Sequence, residues 1–126
     1  MHVFTDSTCP YCQKLHRVVS ELRNAGVTVA YIPFPRAGLQ GPGYRELRTI
    51  WCSEDRAAAF DIATGKAPGT LPAGAGNCPA AAAVDAGYRL GEAMAVRGTP
   101  TIVLPDGGLL PGYVQPRALL KRLWRE

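Results

Sequence analysis

The sequence predicts an α/β fold in which one central mixed β-sheet is flanked by helices. Three features carry that expectation: a strand, helix, strand pattern in the first 34 residues, a helix-rich segment over about residues 40–97, and a strand pair joined by Asp106-Gly107-Gly108 ahead of a last helix. A chain of 126 residues is the size of one domain. Residues 1–126 are therefore expected to form a single unit, with the helical segment inserted between the βαβ unit and the C-terminal hairpin and helix.

His2 to Thr5 is short, and its Val, Phe and Thr favour a strand, while Asp6-Ser7-Thr8 offers side chains that cap helix starts. In the helix that follows, Leu15, Val18, Val19 and Leu22 recur at i, i+3, i+4 and i+7, with Gln13, Lys14, Arg17 and Glu21 on the other side. Asn24-Ala25-Gly26 ends it, and the β-branched and aromatic run Val27 to Phe34 predicts a second strand, parallel to the first. Pro33 to Gly43 is a loop by composition, and Tyr44 to about Ala63 is expected to be helical. Gly65 to Pro79 is a second loop. Ala80 to Val96 is expected to be helical again, although Gly87 and Gly91 weaken it. Two apolar runs around Asp106-Gly107-Gly108 form a hairpin, and a helix from Pro116 presents Leu119, Leu120, Leu123 and Trp124 on one face.

Lys and Arg outnumber Asp and Glu by 14 to 10, for a net charge of +4, but the cations are scattered. Nucleic acid is therefore not expected as a partner. Arg117, Lys121, Arg122 and Arg125 recur at helical spacing and are expected to form a solvated face. Membrane insertion is not expected either, because no run approaches the roughly 18 apolar residues of a span. The N-terminus lacks the basic-then-apolar layout of a secretory signal.

The chemistry lies in Cys9-Pro10-Tyr11-Cys12, at the junction of the first strand and helix. Unpaired backbone N–H groups and the positive end of the helix dipole favour a thiolate on Cys9. Cys9 is thus the candidate nucleophile. Cys12, one turn further in and expected to be less exposed, is the candidate resolving thiol. Two buried, inert cysteines are the plain alternative. A four-thiolate zinc site from Cys9, Cys12, Cys52 and Cys78 is another, although structural zinc sites usually use two close pairs and Cys52 and Cys78 are far apart in sequence. His16, four residues after Cys12, is expected to be a partly buried, hydrogen-bonded histidine rather than a ligand or base.

The segment "FTDSTCPYCQKLH", followed by "IWCSED", "RGTPTIVLPDGG" and "LLPGYVQP", resembles the thioredoxin superfamily. The resemblance spans nearly the whole chain. It points most closely to the catalytic domain of the bacterial periplasmic disulfide isomerases of the DsbC/DsbG family, and to their DsbC-like members. It implies a thioredoxin-like fold and a protein thiol-disulfide oxidoreductase or isomerase in which Cys9 and Cys12 form the redox-active disulfide. It also implies a cis Pro100 facing that pair, substrate contacts at Thr99, Pro100 and Tyr11, and a structural disulfide between Cys52 and Cys78. Neither a metal nor a cofactor is implied. The implied partners are disulfide-bonded or misfolded proteins and a membrane thiol reductant of the DsbD type, in the periplasm. Full-length relatives are homodimers through an N-terminal dimerisation domain, which this chain is not expected to carry, and a monomer follows.

Three departures from the family stand out. Pro10-Tyr11 replaces the usual Gly-Tyr of DsbC-like members, so their redox potential does not transfer. Thioredoxin has a buried acid six residues before its first active cysteine, where this chain has Val3; Asp6 is nearer in sequence but is read as a cap or turn residue. The dimerisation domain is the third. Two other functions stay open on sequence grounds: a glutaredoxin-like reductase using glutathione, against which the insert and Cys52/Cys78 argue, and a zinc-binding interaction module.

Overall fold

A computed structural model describes residues 1–72 and 74–124. Its elements run β1 (His2–Thr5), α1 (Pro10–Asn24), β2 (Ala30–Pro33), α2 (Pro42–Trp51), α3 (Arg56–Ala63), a 3₁₀ turn (Pro79–Ala81), α4 (Ala82–Ala93), β3 (Thr101–Val103), β4 (Leu109–Pro111) and α5 (Pro116–Leu123). The sheet order is β2-β1-β3-β4, with β1 and β2 parallel and the β1/β3 and β3/β4 pairs antiparallel. It is a thioredoxin-like α/β architecture with a mixed sheet.

The pleat of β1 divides the core. Val3 lies beside Tyr31 and Ile102 in the sheet and packs with Leu15, Val19 and Leu22 of α1 and Leu119 of α5. Phe4 projects to the opposite face, where it packs with Phe34 and Val96. The insert adds its own core of Leu47, Ile50, Trp51, Phe60 and Val84. Gly87 and Gly91 are buried where α4 meets β2, and a Cβ at either would land on Pro33 or on the Phe34 ring.

Several local expectations need correction. The second strand covers Ala30–Pro33 rather than Val27 to Phe34, because β1 offers it only four partners, His2 to Thr5. Tyr44 to Ala63 is two helices. Cys52 ends α2, Ser53 Oγ donates to the Thr49 carbonyl at 2.8 Å, and Asp55 starts α3 by accepting from the Ala58 N–H at 3.0 Å. The N-cap of α1 is Cys9 itself, with no side-chain cap; Pro10 has no N–H to satisfy there. Trp124 ends α5 and is exposed instead of joining its apolar face. Arg117, Lys121 and Arg122 do face solvent, and Arg125 lies outside the described residues. Among the described residues no helix is long and apolar enough to cross a membrane.

Candidate active site

β1 delivers the chain to a tight turn that places Cys9 at the head of α1. The Cys9 N–H donates to the Asp6 carbonyl at 2.9 Å, and the Gln13 side chain donates to the Ser7 carbonyl at 2.9 Å. The Asp6 carboxylate, itself buried, accepts from the Thr8 N–H and hydroxyl at 2.9 and 2.7 Å and from the Arg36 N–H at 3.0 Å. It is a turn residue, as its position suggested. Its backbone N–H donates to Cys12 Sγ at 3.4 Å.

Cys9 and Cys12 are both free thiols. Surface exposure does not separate them, since each is 2% exposed, but Cys12 is the more deeply buried of the two, as its place one turn further in suggested. What covers Cys9 comes from far along the chain: its Sγ donates to the Thr99 carbonyl at 3.4 Å. The Thr99–Pro100 peptide is cis, and Thr99 Oγ1 is buried without a hydrogen-bond partner, leaving that hydroxyl able to turn toward the sulfurs.

Ionisation does separate the two thiols. Burial drives the Cys9 thiol upward, but the Thr99 hydroxyl, once turned toward the sulfur, and the Cys12 and Tyr11 backbone N–H groups outweigh it and leave the group below its ordinary value. Burial pushes the Cys12 thiol up to about 12, with the Cys9 charge adding to the rise and the Asp6 N–H opposing it. The Cys9 sulfur thus loses its proton more readily than the Cys12 sulfur. Tyr11, between them in sequence, is 61% exposed, and Lys14 Nζ lies 4.6 Å from the centre of the Tyr113 ring.

Cys52 and Cys78 are bonded to each other, with Cα atoms 5.8 Å apart, and so join α2 to the start of the 3₁₀ turn. That bond removes two of the four ligands a zinc site would need. His16, one turn beyond Cys12, is buried and bonds Tyr31 through Nδ1 at 2.7 Å and Asp61 through Nε2 at 2.6 Å. Sequence reasoning missed both partners. The one available signal was that the apolar face of α1 carries an imidazole, which must find polar partners when buried.

Two free thiols at a strand-to-helix junction, shifted in opposite directions from the ordinary thiol value and set on a sheet of this order, put the chain in the class of thioredoxin-fold proteins. It belongs to the family described as Thioredoxin-like domain, which matches residues 1–125. The thiol:disulfide interchange protein DsbC of Escherichia coli (strain K12) is 41% identical over 119 residues, which are 93% of this chain and 47% of the relative. That of Dickeya dadantii (strain 3937) is 40% identical over 123 residues, 96% of this chain and 48% of the relative. A crystal structure of a disulfide interchange protein from Neisseria gonorrhoeae superposes with a TM-score of 0.79 at 32% identity, covering 99% of this chain and 87% of that one. The chain spans about half the length of the curated relatives it matches.

Proposed function

We propose that this chain is the catalytic unit of a protein thiol-disulfide oxidoreductase of the disulfide-isomerase type. The observation that carries the reading is the free Cys9–Cys12 pair at the head of α1, covered by the cis Thr99–Pro100 segment, with Cys9 shifted below and Cys12 above the ordinary thiol value. The Cys9 thiolate attacks one sulfur of a substrate disulfide, forming a mixed disulfide and releasing the other substrate sulfur as a thiolate, which takes up a proton. Cys12 then gives up its proton and attacks the Cys9 sulfur. The Cys9–Cys12 disulfide forms, the second substrate sulfur leaves, and two electrons have passed to the substrate. When a different substrate thiol resolves the mixed disulfide instead, pairing changes without net redox.

Thr99 and Pro100 form the substrate platform in this reading. An extended segment adding to the Thr99 backbone gains affinity through main-chain hydrogen bonds without being read for sequence, which suits disulfide-bonded or misfolded proteins as substrates. The exposed Tyr11 ring offers an apolar contact beside the nucleophile. A second disulfide at Cys52–Cys78 fits an oxidising compartment such as the periplasm, where a membrane thiol reductant would return Cys9–Cys12 to the dithiol.

The test is covalent trapping. Incubated with a scrambled disulfide protein, Cys12→Ala should accumulate a mixed disulfide through Cys9, Cys9→Ala should accumulate none, and the unaltered chain should turn over. Equal trapping by both variants would reverse or refute these roles.

A further inference from the structure

One helical turn beyond Cys12, a cavity of about 400 Å³ opens beside His16, and the thiol chemistry makes no use of it. Its apolar wall is built from Tyr31, Trp51 and Phe60, with the Tyr31 and Phe60 rings 4.7 Å apart. Arg23 of α1, Arg56 of α3 and Lys66 of the turn after α3 also line it, against a single acid, Asp61. Asp61 is already bound to His16. Among the described residues the ion pairs are His16–Asp61 and Arg36–Asp6, so none of the three cations has a carboxylate partner.

Two of these cations are held in place. Arg23 donates one N–H to the Val29 carbonyl at 3.3 Å, and Arg56 donates one to the Trp51 carbonyl at 3.2 Å while its guanidinium lies 5.1 Å from the Trp51 ring centre. A guanidinium has five N–H donors, so most of each fork is left for a ligand. Lys66 and Arg23 both lie near enough to His16 to add to burial in holding its imidazole below the ordinary value. Three cations against one acid leave the lining with an excess of positive charge, which favours an anion in the cavity.

We propose that this cavity binds a small organic anion of single-ring size, its ring against Tyr31, Trp51 and Phe60 and its phosphate or carboxylate between Arg23, Arg56 and Lys66. The volume lies within the range of small-molecule sites, about 300–1,000 Å³. Binding involves no thiol step and stands apart from the disulfide chemistry.

The chain's two tryptophans make the test. Trp51 lines the cavity, and Trp124 is exposed at the end of α5. In ¹⁵N-indole NMR, with peaks assigned by Trp124→Phe, phenyl phosphate or benzoate should move the Trp51 peak saturably and leave Trp124 in place. Inorganic phosphate and benzyl alcohol, each lacking one half of the recognised chemistry, should bind at least about tenfold more weakly. The phosphate and carboxylate arms distinguish the two kinds of anion. The double variant Arg56→Gln/Lys66→Gln, both exposed positions, should keep the native spectrum and lose affinity by about tenfold or more. No saturable Trp51 shift at millimolar probe, equal movement of both indoles, or unchanged binding in the double variant would each overturn the proposal.

Discussion

Cys9 Sγ meets the Thr99 carbonyl at 3.4 Å across 90 residues of sequence, so the surroundings of the proposed nucleophile are completed by the loop that enters β3. The carbonyl accepts from the neutral thiol, whereas the Thr99 side chain and the Cys12 and Tyr11 backbone N–H groups favour the charged sulfur and prevail, so alkylation of the reduced chain with iodoacetamide should modify Cys9 with a pH midpoint below the ordinary thiol value of about 8.5. Cys12, held up to about 12, should stay unlabelled across neutral and mildly alkaline pH. Thr99→Val, which removes the hydroxyl, should raise the Cys9 midpoint by about one unit, as expected for losing one hydrogen bond to a charged sulfur. Peptide mass spectrometry across a pH series decides, and a midpoint unchanged by Thr99→Val removes the hydroxyl from the account.

The Cys52–Cys78 bond closes a loop across a sequence separation of 26. In the chain-entropy model that closure contributes ~3.5 kcal/mol by restricting the unfolded chain. The double variant Cys52→Ala/Cys78→Ala should lower stability in urea by about that amount, with Cys9 and Cys12 kept reduced throughout. Cys9 alkylation should be unchanged, since the bond lies in the insert and not at the redox turn. A change in Cys9 reactivity would show that the insert tunes the nucleophile.

His16 should make the fold acid-sensitive. Burial holds its imidazole below the ordinary value of 6.5, with Lys66 adding to the effect and Asp61 opposing it. Below that value the unfolded chain binds a proton that the folded chain refuses, so stability falls as pH drops toward the folded value. Urea midpoints for His16→Gln should show a shallower loss than the unaltered chain between about pH 7 and pH 5. Parallel curves would mean that His16 does not carry the dependence. Asp61→Asn weakens the bond that favours the protonated ring and should steepen it.

Gly87→Ala and Gly91→Ala test the seat of α4. Helix propensity alone predicts a gain of about 1 kcal/mol for alanine. The new Cβ would meet the Pro33 carbonyl in one case and the Phe34 ring in the other, so both should instead destabilise, by ~1–3 kcal/mol. Gly87→Ala should be the worse, because a strand carbonyl yields less than a ring. Thermal unfolding gives the sign directly.

These particulars show where sequence suffices. β1 is legible because four consecutive residues carry both its propensity and its boundary, and the hairpin because Gly107 takes a positive φ of 90° and the Gly108 N–H donates to Asp106 Oδ1 at 2.8 Å, all within one turn. The cysteine spacing is equally local. The burial of Cys9 is not, since Thr99 supplies its cover. The partners of His16 lie 15 and 45 residues away, and no periodicity connects them. The break between α2 and α3 falls in a stretch whose composition permits helix, and it is set by Ser53 and Asp55 bonding to nearby backbone. Gly87 and Gly91 looked like weak points of a helix because propensity counts each residue alone; one turn apart on one face, they are what lets α4 close on β2.

The carboxylate of Asp6 has a further consequence. It ties the turn that carries Cys9 to the segment leaving β2 through the Arg36 N–H, and it lies so close to Gly43, at the first turn of α2, that a side chain there would collide with it. Asp6 thus links the redox turn directly to the start of the insert. A substitution at Arg36 or Gly43 is felt at the Cys9 turn through the Asp6 carboxylate, and grafting the Cys9–Cys12 turn into another scaffold would move the two sulfurs without that anchor.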